Sequence, residues 1–396
     1  MSEEQNINQL PKDWKWVKLG EACNIIMGQS PPSTSYNTDG IGMPFFQGKA
    51  EFTKLYPVVE KWCTTPNKIA TPNDILLSVR APVGATNIAN QKCCIGRGLA
   101  AIRYENYKYV FYFLRSKQQE LDSKGTGTTF RAISGGTIRE ILFPFPPKPT
   151  QQAIVSKIEV LFSELDKGID NLHTAQQQLK SYRQSVLKWA FVNSTFENFV
   201  LKDVTEKIQI GPFGTQLHKE DYIENGIPLI NPTHIKDGFI VANNSFSILK
   251  SKRNSLPNYI LEEGDVIMGR RGEMGRCGLV TKKEVGWFCG TGSLYFRPDK
   301  KKVNPVFLYY NLSSEPVKKY LDDNAGGTTM ANLNLKIVND IPISLPSIEE
   351  QQKIVQTIES RLSVADKMEE SIIQSLQQAE ALRQSILKKA FEGELV

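Results

Sequence analysis

The phrase RQSVLKWAF at 183–191 returns as RQSILKKAF at 383–391, 200 residues further on. The match is not confined to nine residues. Laid on 351–391 without a gap, residues 151–191 agree at 18 of 41 positions, among them Gln151/Gln351, Ile158/Ile358 and Asp166/Asp366. The same shift carries LDSKGTGTT (121–129) onto LDDNAGGTT (321–329) and Pro146 onto Pro346. Further upstream the register slips but the sense persists. NDILLSVRAPVG (73–84) parallels EGDVIMGRRGEMG (263–275), and WVKLGEACNIIMG (16–28) parallels FVLKDVTEKIQIG (199–211). Self-similarity on this scale requires two copies of one folding unit. Each copy reads as a mixed domain followed by a long helix.

The long segments are amphipathic. Ile154, Ile158, Leu161, Leu165, Leu172, Leu179, Tyr182, Val186 and Trp189 recur at steps of three, four or seven, with Gly168 and Ala175 in the gaps. Ile354, Ile358, Ala365, Met368, Ile372, Ala379, Leu382 and Ile386 do the same in the second copy. That period marks a coiled-coil seam. Ser347 and Glu350 form a capping box after Pro346, Thr150 is a candidate cap for the first helix, and Gly393 stands where the second should end. An ordinary core helix explains one such stripe. Two matched stripes are most simply buried against each other, as an intramolecular antiparallel pair about 60 Å long. Such a pair would set the two mixed domains at opposite ends, about an approximate two-fold axis.

The expected organisation is a tail at 1–10, a first domain at 11–147, a spacer helix at 148–193, a second domain at 197–345 and a second spacer helix at 346–393. The domains are rich in short β-branched and apolar runs punctuated by Gly, Pro and Asn, with a shorter helix in each. The fold class is α/β (α+β).

Composition excludes several classes. No run approaches eighteen apolar residues, so no transmembrane helix is expected, and the polar start is unlike a secretory signal. Six cysteines without C-x-x-C spacing argue for reduced thiols in a cytoplasm and against a zinc site. The net charge of +6 permits a nucleic-acid partner without demanding one. Catalytic motifs fail on inspection. QSPPS (29–33) has Ser33 where an amino-methyltransferase turn needs an aromatic ring to stack a flipped base. GMPFFQGK (42–49) misses the phosphate-loop spacing by one residue, and Ala50 replaces the metal-binding hydroxyl. GTGTTF and GTGSLY lack the last glycine of a dinucleotide fingerprint. His173, His218 and His234 are scattered. No catalytic, cofactor-binding or metal residue is expected in this chain.

Two similar domains on a rigid spacer suit the measurement of duplex DNA, whose major-groove faces recur about every 34–36 Å. Because the domains differ in sequence, the half-sites should differ as well. At this point the residues carry a resemblance. Leu10, Pro11, Trp14, Val17, Leu19, Gly20 and Glu21 at the opening, the Gly-Thr-Thr turns, and the proline-rich entry with a Gln pair leading into each helix resemble the specificity subunit of type I restriction-modification systems, over nearly the whole chain. The resemblance implies that each mixed domain is a target recognition domain reading half of an asymmetric bipartite site in double-stranded DNA. It implies that the helices fix the gap and dock two modification subunits, which bind S-adenosylmethionine and methylate adenine, with restriction and translocase subunits joining them. The specificity subunit itself would be non-catalytic. The competing reading is a protein-interaction scaffold with two reader domains on a coiled-coil spacer.

Candidate DNA-binding residues follow from base and phosphate chemistry. In the first domain they are Gln29, Ser30, Ser33 and Tyr36 in one loop, then Gln47, Lys49, Arg80, Lys124, Thr128, Thr129 and Arg131. In the second they are Gln216, His218, Lys219, Asn231, His234, Arg270, Arg271, Thr328 and Thr329, with Asn324 beside them. The Gly-Thr-Thr turn recurs in domains that should read different sequences, which favours a structural or phosphate-positioning role. The isolated arginines suit phosphate better than bases.

Overall fold

A computed structural model describes residues 10–126, 131–191, 196–236, 238–272, 275–325 and 332–396. The chain divides into two units. Unit one comprises Met1–His173 with Ile373–Val396, and unit two comprises Thr174–Ile372. Each long helix, Lys148–Phe191 and Ile348–Glu392, therefore contributes a part to both units.

In unit one the strand Lys15–Lys18 pairs antiparallel with Leu142–Phe145, closing the domain just before the long helix. A four-stranded antiparallel sheet runs in the order Asn24–Met27, Leu99–Arg103, Ile75–Ser78, Thr86–Ile88. A second sheet of short strands contains one parallel pair, Met43–Phe46 with Cys93–Ile95. The run DILLSV lacks alternation because both faces of its strand are covered. Ile75 and Leu77 enter the core beneath the helix Tyr107–Ser116, while Leu76 enters a separate cluster with Phe46, Ile95 and Ala101.

Unit two repeats the plan. Glu197–Val200 pairs with Pro342–Leu345. A four-stranded sheet runs Thr205–Ile210, Ser293–Pro298, Val266–Gly269, Cys277–Leu279, and Ile227–Ile230 lies parallel to Phe288–Cys289. Val266 and Met268 face one core and Ile267 faces the other. A short hairpin, Ile235–Lys236 with Phe239–Ile240, follows.

The same polar fastenings hold both units. Asp74 takes a two-pronged ion pair from Arg103 at 2.8 and 2.8 Å, and Asp265 takes one from Arg297 at 2.9 and 2.8 Å. Each carboxylate also accepts a backbone amide at 2.8 Å, from Thr71 and Glu262 respectively. The arginine holds a buried charge whose desolvation would otherwise oppose folding. The fully buried Gln151 and Gln351 each donate to the carbonyl of the proline five residues earlier, at 3.0 and 2.9 Å. An uncapped buried amide would be costly, so this pair ties the helix entry to the domain.

The repeated phrase now has a physical reason. RQSVLKWAF lies in unit two and RQSILKKAF in unit one, so each closes the domain that did not precede it. Phe391 packs edge-on against Tyr109 and Phe113 at 5.3 and 5.4 Å, and Phe191 against Phe307 at 5.4 Å. Within each unit the two helical parts run antiparallel. In unit one Asp166 pairs with Arg383, and Leu161, Leu165 and Leu172 share a groove with Ile386, Leu382 and Ala379. In unit two Arg183 pairs with Asp366 at 2.6 Å and Glu369 at 2.8 Å, and Arg361 stacks 4.4 Å over Trp189.

The seam differs in part from the expected one. Ala365, Ile372, Ala379 and Ile386 are buried, but Tyr182, Trp189, Met368 and Leu382 stand exposed. The first helix begins at Lys148, two residues before its expected cap, so Thr150 sits inside its first turn. Ser347 does cap the second helix through Glu350 N–H at 3.3 Å, and Gly393 ends it with φ of 83°.

Candidate nucleic-acid interface

The topology of unit one brings several loops to one rim. The strand Asn24–Met27 ends where Leu99–Arg103 begins and where Ile75–Ser78 ends. The parallel strands Met43–Phe46 and Cys93–Ile95 end there too. Backbone bonds lock the junction: Gly28 N–H to Leu99 O, Gln29 N–H to Ile95 O, Gly96 N–H to Phe46 O and Val79 N–H to Gly98 O, all at 2.8–3.0 Å. Gly28 is required by this closeness, since a Cβ there would stand 2.2 Å from Gly96 O. Two further bonds, Ala81 N–H to Arg131 O at 2.9 Å and Ile133 N–H to Val79 O at 3.0 Å, bring Arg131 and Ile133 to the same rim.

The sequence-chosen residues Gln29, Ser30, Ser33, Gln47, Lys49, Arg80 and Arg131 thus converge. Gln29, Ser33, Gln47, Lys49, Arg80 and Arg131 are exposed. Tyr36 is placed by stacking on Phe45 at 4.6 Å and by donating its hydroxyl to Pro31 O at 2.8 Å. Lys124 is exposed but occupied by Glu120 at 2.6 Å. Thr128 and Thr129 lie outside the described residues, as do Thr328 and Thr329.

Arg97 escaped the sequence reading. It sits exposed between Gly96 and Gly98, with its backbone N–H 3.3 Å from Ser30 Oγ. Its signal was present in the sequence, an arginine flanked by glycines, but only the parallel strand pair delivers it to this rim. The guanidinium and ammonium groups of Lys49, Arg80, Arg97 and Arg131 have no ion pair among the described residues. Away from the rim, Arg103, Arg183, Arg297 and Arg383 are all paired.

Unit two builds the equivalent rim with other side chains. Gly211 N–H bonds Ser293 O at 2.9 Å, Gly290 N–H bonds Ile230 O at 2.9 Å, and Leu333 N–H bonds Arg270 O at 3.1 Å. Gln216, His218, Lys219 and Arg271 are exposed here. Gln216 accepts from Tyr259 Oη at 2.7 Å, which fixes its amide. Asp221 accepts the His218 N–H and pairs with Lys252, contacts that hold its carboxyl below the usual range. Asn231 is half-buried, receiving Gly292 N–H.

Two of the chosen residues point inward. His234 is 5% exposed, with Nδ1 3.0 Å from Leu229 O and 3.2 Å from the Asn231 nitrogen. Burial lowers its pKa, so the ring is neutral at physiological pH. Arg270 is 9% exposed and donates Nε–H to Asn332 Oδ1 at 3.0 Å. Both serve loop geometry from beneath the surface. Asn324 lies in the helix Glu315–Asn324 and donates to Tyr320 O. Phe213, which the sequence reading passed over, stands 64% exposed in the loop after Gly211.

A matched pair of loop rims on a repeated frame, each presenting amides, hydroxyls and cations, defines a two-headed recognition protein. A family model described as the type I restriction modification DNA specificity domain matches residues 11–174 and again 193–378. The chain belongs to that family and carries two such domains. It is 39% identical over 191 residues to the putative type I restriction enzyme MjaX specificity subunit of Methanocaldococcus jannaschii, covering 47% of this chain and 44% of that one. It is 25% identical to the EcoBI specificity subunit of Escherichia coli across 99% of this chain and 89% of that one. The HsdS subunit from Thermoanaerobacter tengcongensis superposes with a TM-score of 0.60 at 20% identity, covering 98% of this chain and 99% of that one. A chain from a structure of type I R-M complex assembly reaches 0.76 at 20% identity, covering 98% and 100%. These two likenesses establish the fold. No helix among the described residues is long and apolar enough to cross a membrane.

Proposed function

We propose that each unit reads one half of an asymmetric bipartite sequence in duplex DNA through its loop rim, without making or breaking bonds itself. The observation that carries this reading is the concentration on the converging loops of exposed amides and of cations without an ion pair among the described residues, whereas Arg103, Arg183, Arg297 and Arg383 away from the rim are paired. Phosphate contacts from Lys49, Arg80, Arg97, Arg131, Lys219 and Arg271 would set register, and Gln29, Gln47 and the His218 ring would read base edges. His234 and Arg270 would act as positioning residues. The length of the two long helices sets the unread DNA between the half-words. Tyr182, Trp189, Met368 and Leu382, exposed on those helices, suit docking of modification subunits, two per chain, which bind S-adenosylmethionine and methylate adenine in the cytoplasm; restriction and translocase subunits would join that assembly.

The test is a domain exchange. Replacing residues 11–147 by the equivalent domain of another specificity subunit, then mapping methylated sites by single-molecule sequencing, is expected to change one half-word and leave the other. Change in both, or in neither, would refute the division of labour. The rival scaffold reading predicts no shift of duplex DNA by the complex with modification subunits.

A further inference from the structure

Unit one holds a basic cavity that the loop rim does not account for. It encloses about 270 Å³ and is lined in part by Lys49, Thr86, Arg115, Phe162, Glu380 and Arg383. Two guanidinium groups are clamped on its walls. Arg115 lies 4.5 Å from the Phe111 ring and donates to Lys54 O. Arg383 lies 4.5 Å over Phe162 and pairs with Asp166, which Lys54 pairs as well. Glu380 stands 3.9 Å from Arg383. On the lining itself Lys49, Arg115 and Arg383 outnumber Glu380, so the walls carry excess positive charge. Burial, and then the like charge of Arg383, both work against the Arg115 cation. An anion between the two guanidiniums relieves that repulsion.

A second, independent observation concerns Thr86. It is 5% exposed, and its hydroxyl has no hydrogen-bond partner among the described residues. Buried hydroxyls are ordinarily satisfied. In unit two the matching group is satisfied. Thr86 lies opposite Leu77 in its sheet as Cys277 lies opposite Met268. Arg115 follows the buried Leu114 as Ser313 follows the buried Leu312; Ser313 donates Oγ–H to Tyr309 O at 2.8 Å, and the Cys277 thiol donates to Gly275 O at 3.4 Å. The repeat places Lys180 at the position of Glu380. The clamped arginine and the idle hydroxyl therefore arise together in one copy of a duplicated frame.

We propose that this cavity binds a phosphate group, and that the group is a backbone phosphodiester of the bound duplex. Two planar guanidiniums, an ammonium and a hydroxyl donor form a donor set suited to phosphate oxygens. Lys49 belongs both to the rim and to the cavity, which joins the two surfaces. The assignment to DNA rests on the reading proposed above.

The experiment uses the complex of this chain with its modification subunits and a duplex carrying the methylated sequence. The slope of log affinity against log salt is compared for wild type, Arg115→Gln and Thr86→Val. Loss of one phosphate contact reduces the slope by about one. Arg115→Gln is expected to show that reduction with roughly tenfold weaker binding. Thr86→Val, close in shape, is expected to weaken binding several-fold without lowering thermal stability, because it removes only an unpartnered hydroxyl. A duplex with a single methylphosphonate should reproduce the wild-type loss at one backbone position and have no further effect on Arg115→Gln. Wild-type slope and affinity in Thr86→Val and in folded Arg115→Gln overturn the proposal. If inorganic phosphate stabilises the wild-type chain over chloride at matched ionic strength while the variants keep the duplex slope, the assignment to DNA is overturned in favour of a free phosphate. No salt-dependent duplex binding by the wild-type complex refutes the broader DNA reading instead.

Discussion

Unit one and unit two share a frame and differ at its rim. The shared parts are those that hold loops in place: the Asp74–Arg103 and Asp265–Arg297 forks, the buried Gln151 and Gln351, and the phenylalanine that ends each long helix. The differing parts are those that loops present. Lys49 and Glu51 in unit one stand where unit two has Pro232 and His234, and among the described residues unit two alone has the pairing of Ile235–Lys236 with Phe239–Ile240, with Phe239 exposed. Duplication followed by divergence of the loops leaves two readers with one means of support. Loops carry little of the packing energy, so they are free to vary.

The largest expected effect tests whether the two helix ends are equivalent anchors. Phe391→Ala should destabilise unit one by about 3–5 kcal/mol, and Phe191→Ala should do the same for unit two, as large-to-small changes in packed aromatic sites do. Denaturant unfolding, with protease sensitivity assigning the loss to 11–147 or 197–345, checks both. A loss below about 1 kcal/mol for either would break the equivalence. The ion-pair forks should sharpen the comparison instead. Asp74 and Asp265 are equally buried, but the Arg103 side chain is 43% exposed and that of Arg297 only 18%. Loss of the Asp265 charge leaves Arg297 with only the exposed Glu262 at 2.5 Å, and water reaches Arg297 less than it reaches Arg103, so the loss is costlier there. Asp265→Asn should therefore cost about 3 kcal/mol and Asp74→Asn about half of that. Equal losses would show that solvent access to the arginine does not matter.

The smallest effect distinguishes the units by pH. His234 has a folded pKa pushed below the ordinary imidazole value by burial. The folded state therefore prefers the neutral ring. Its stabilising contribution is full above the unfolded pKa and is lost as pH falls through the folded one. Unit two should weaken on acidification below about pH 6.5, and His234→Gln should flatten that dependence. Unit one has no histidine at the corresponding place. A unit-two stability profile between pH 5 and 7 that is identical in His234→Gln would remove the buried imidazole as the cause.

Much of this was legible in the chain. The 200-residue repeat declared two copies, and the three-four periodicity of Ile154, Ile158, Ile354 and Ile358 gave long helices. Gln29, Gln47, Arg80 and Arg131 could be chosen as loop residues from their neighbours alone. Other features were not legible, because they depend on groups far apart in sequence. Arg97 reaches the rim only through the pairing of Met43–Phe46 with Cys93–Ile95. His234 looks like a surface ligand in sequence, yet its ring turns inward to Leu229 O. Met368 and Leu382 fit the apolar period but miss the buried face, since a period does not say which edge of a stripe a partner helix covers.

The sequence by itself determined that this protein is two copies of a mixed domain and a long helix, because hydrophobic period and repetition are properties of the chain. Only the tertiary structure decided that each helix ends in the core of the domain it does not follow, and which cations remain unpaired at the rims. Ion pairing and burial depend on distances between residues far apart in sequence, from Lys54 to Asp166 and from Tyr109 to Phe391, and no local pattern encodes such a distance.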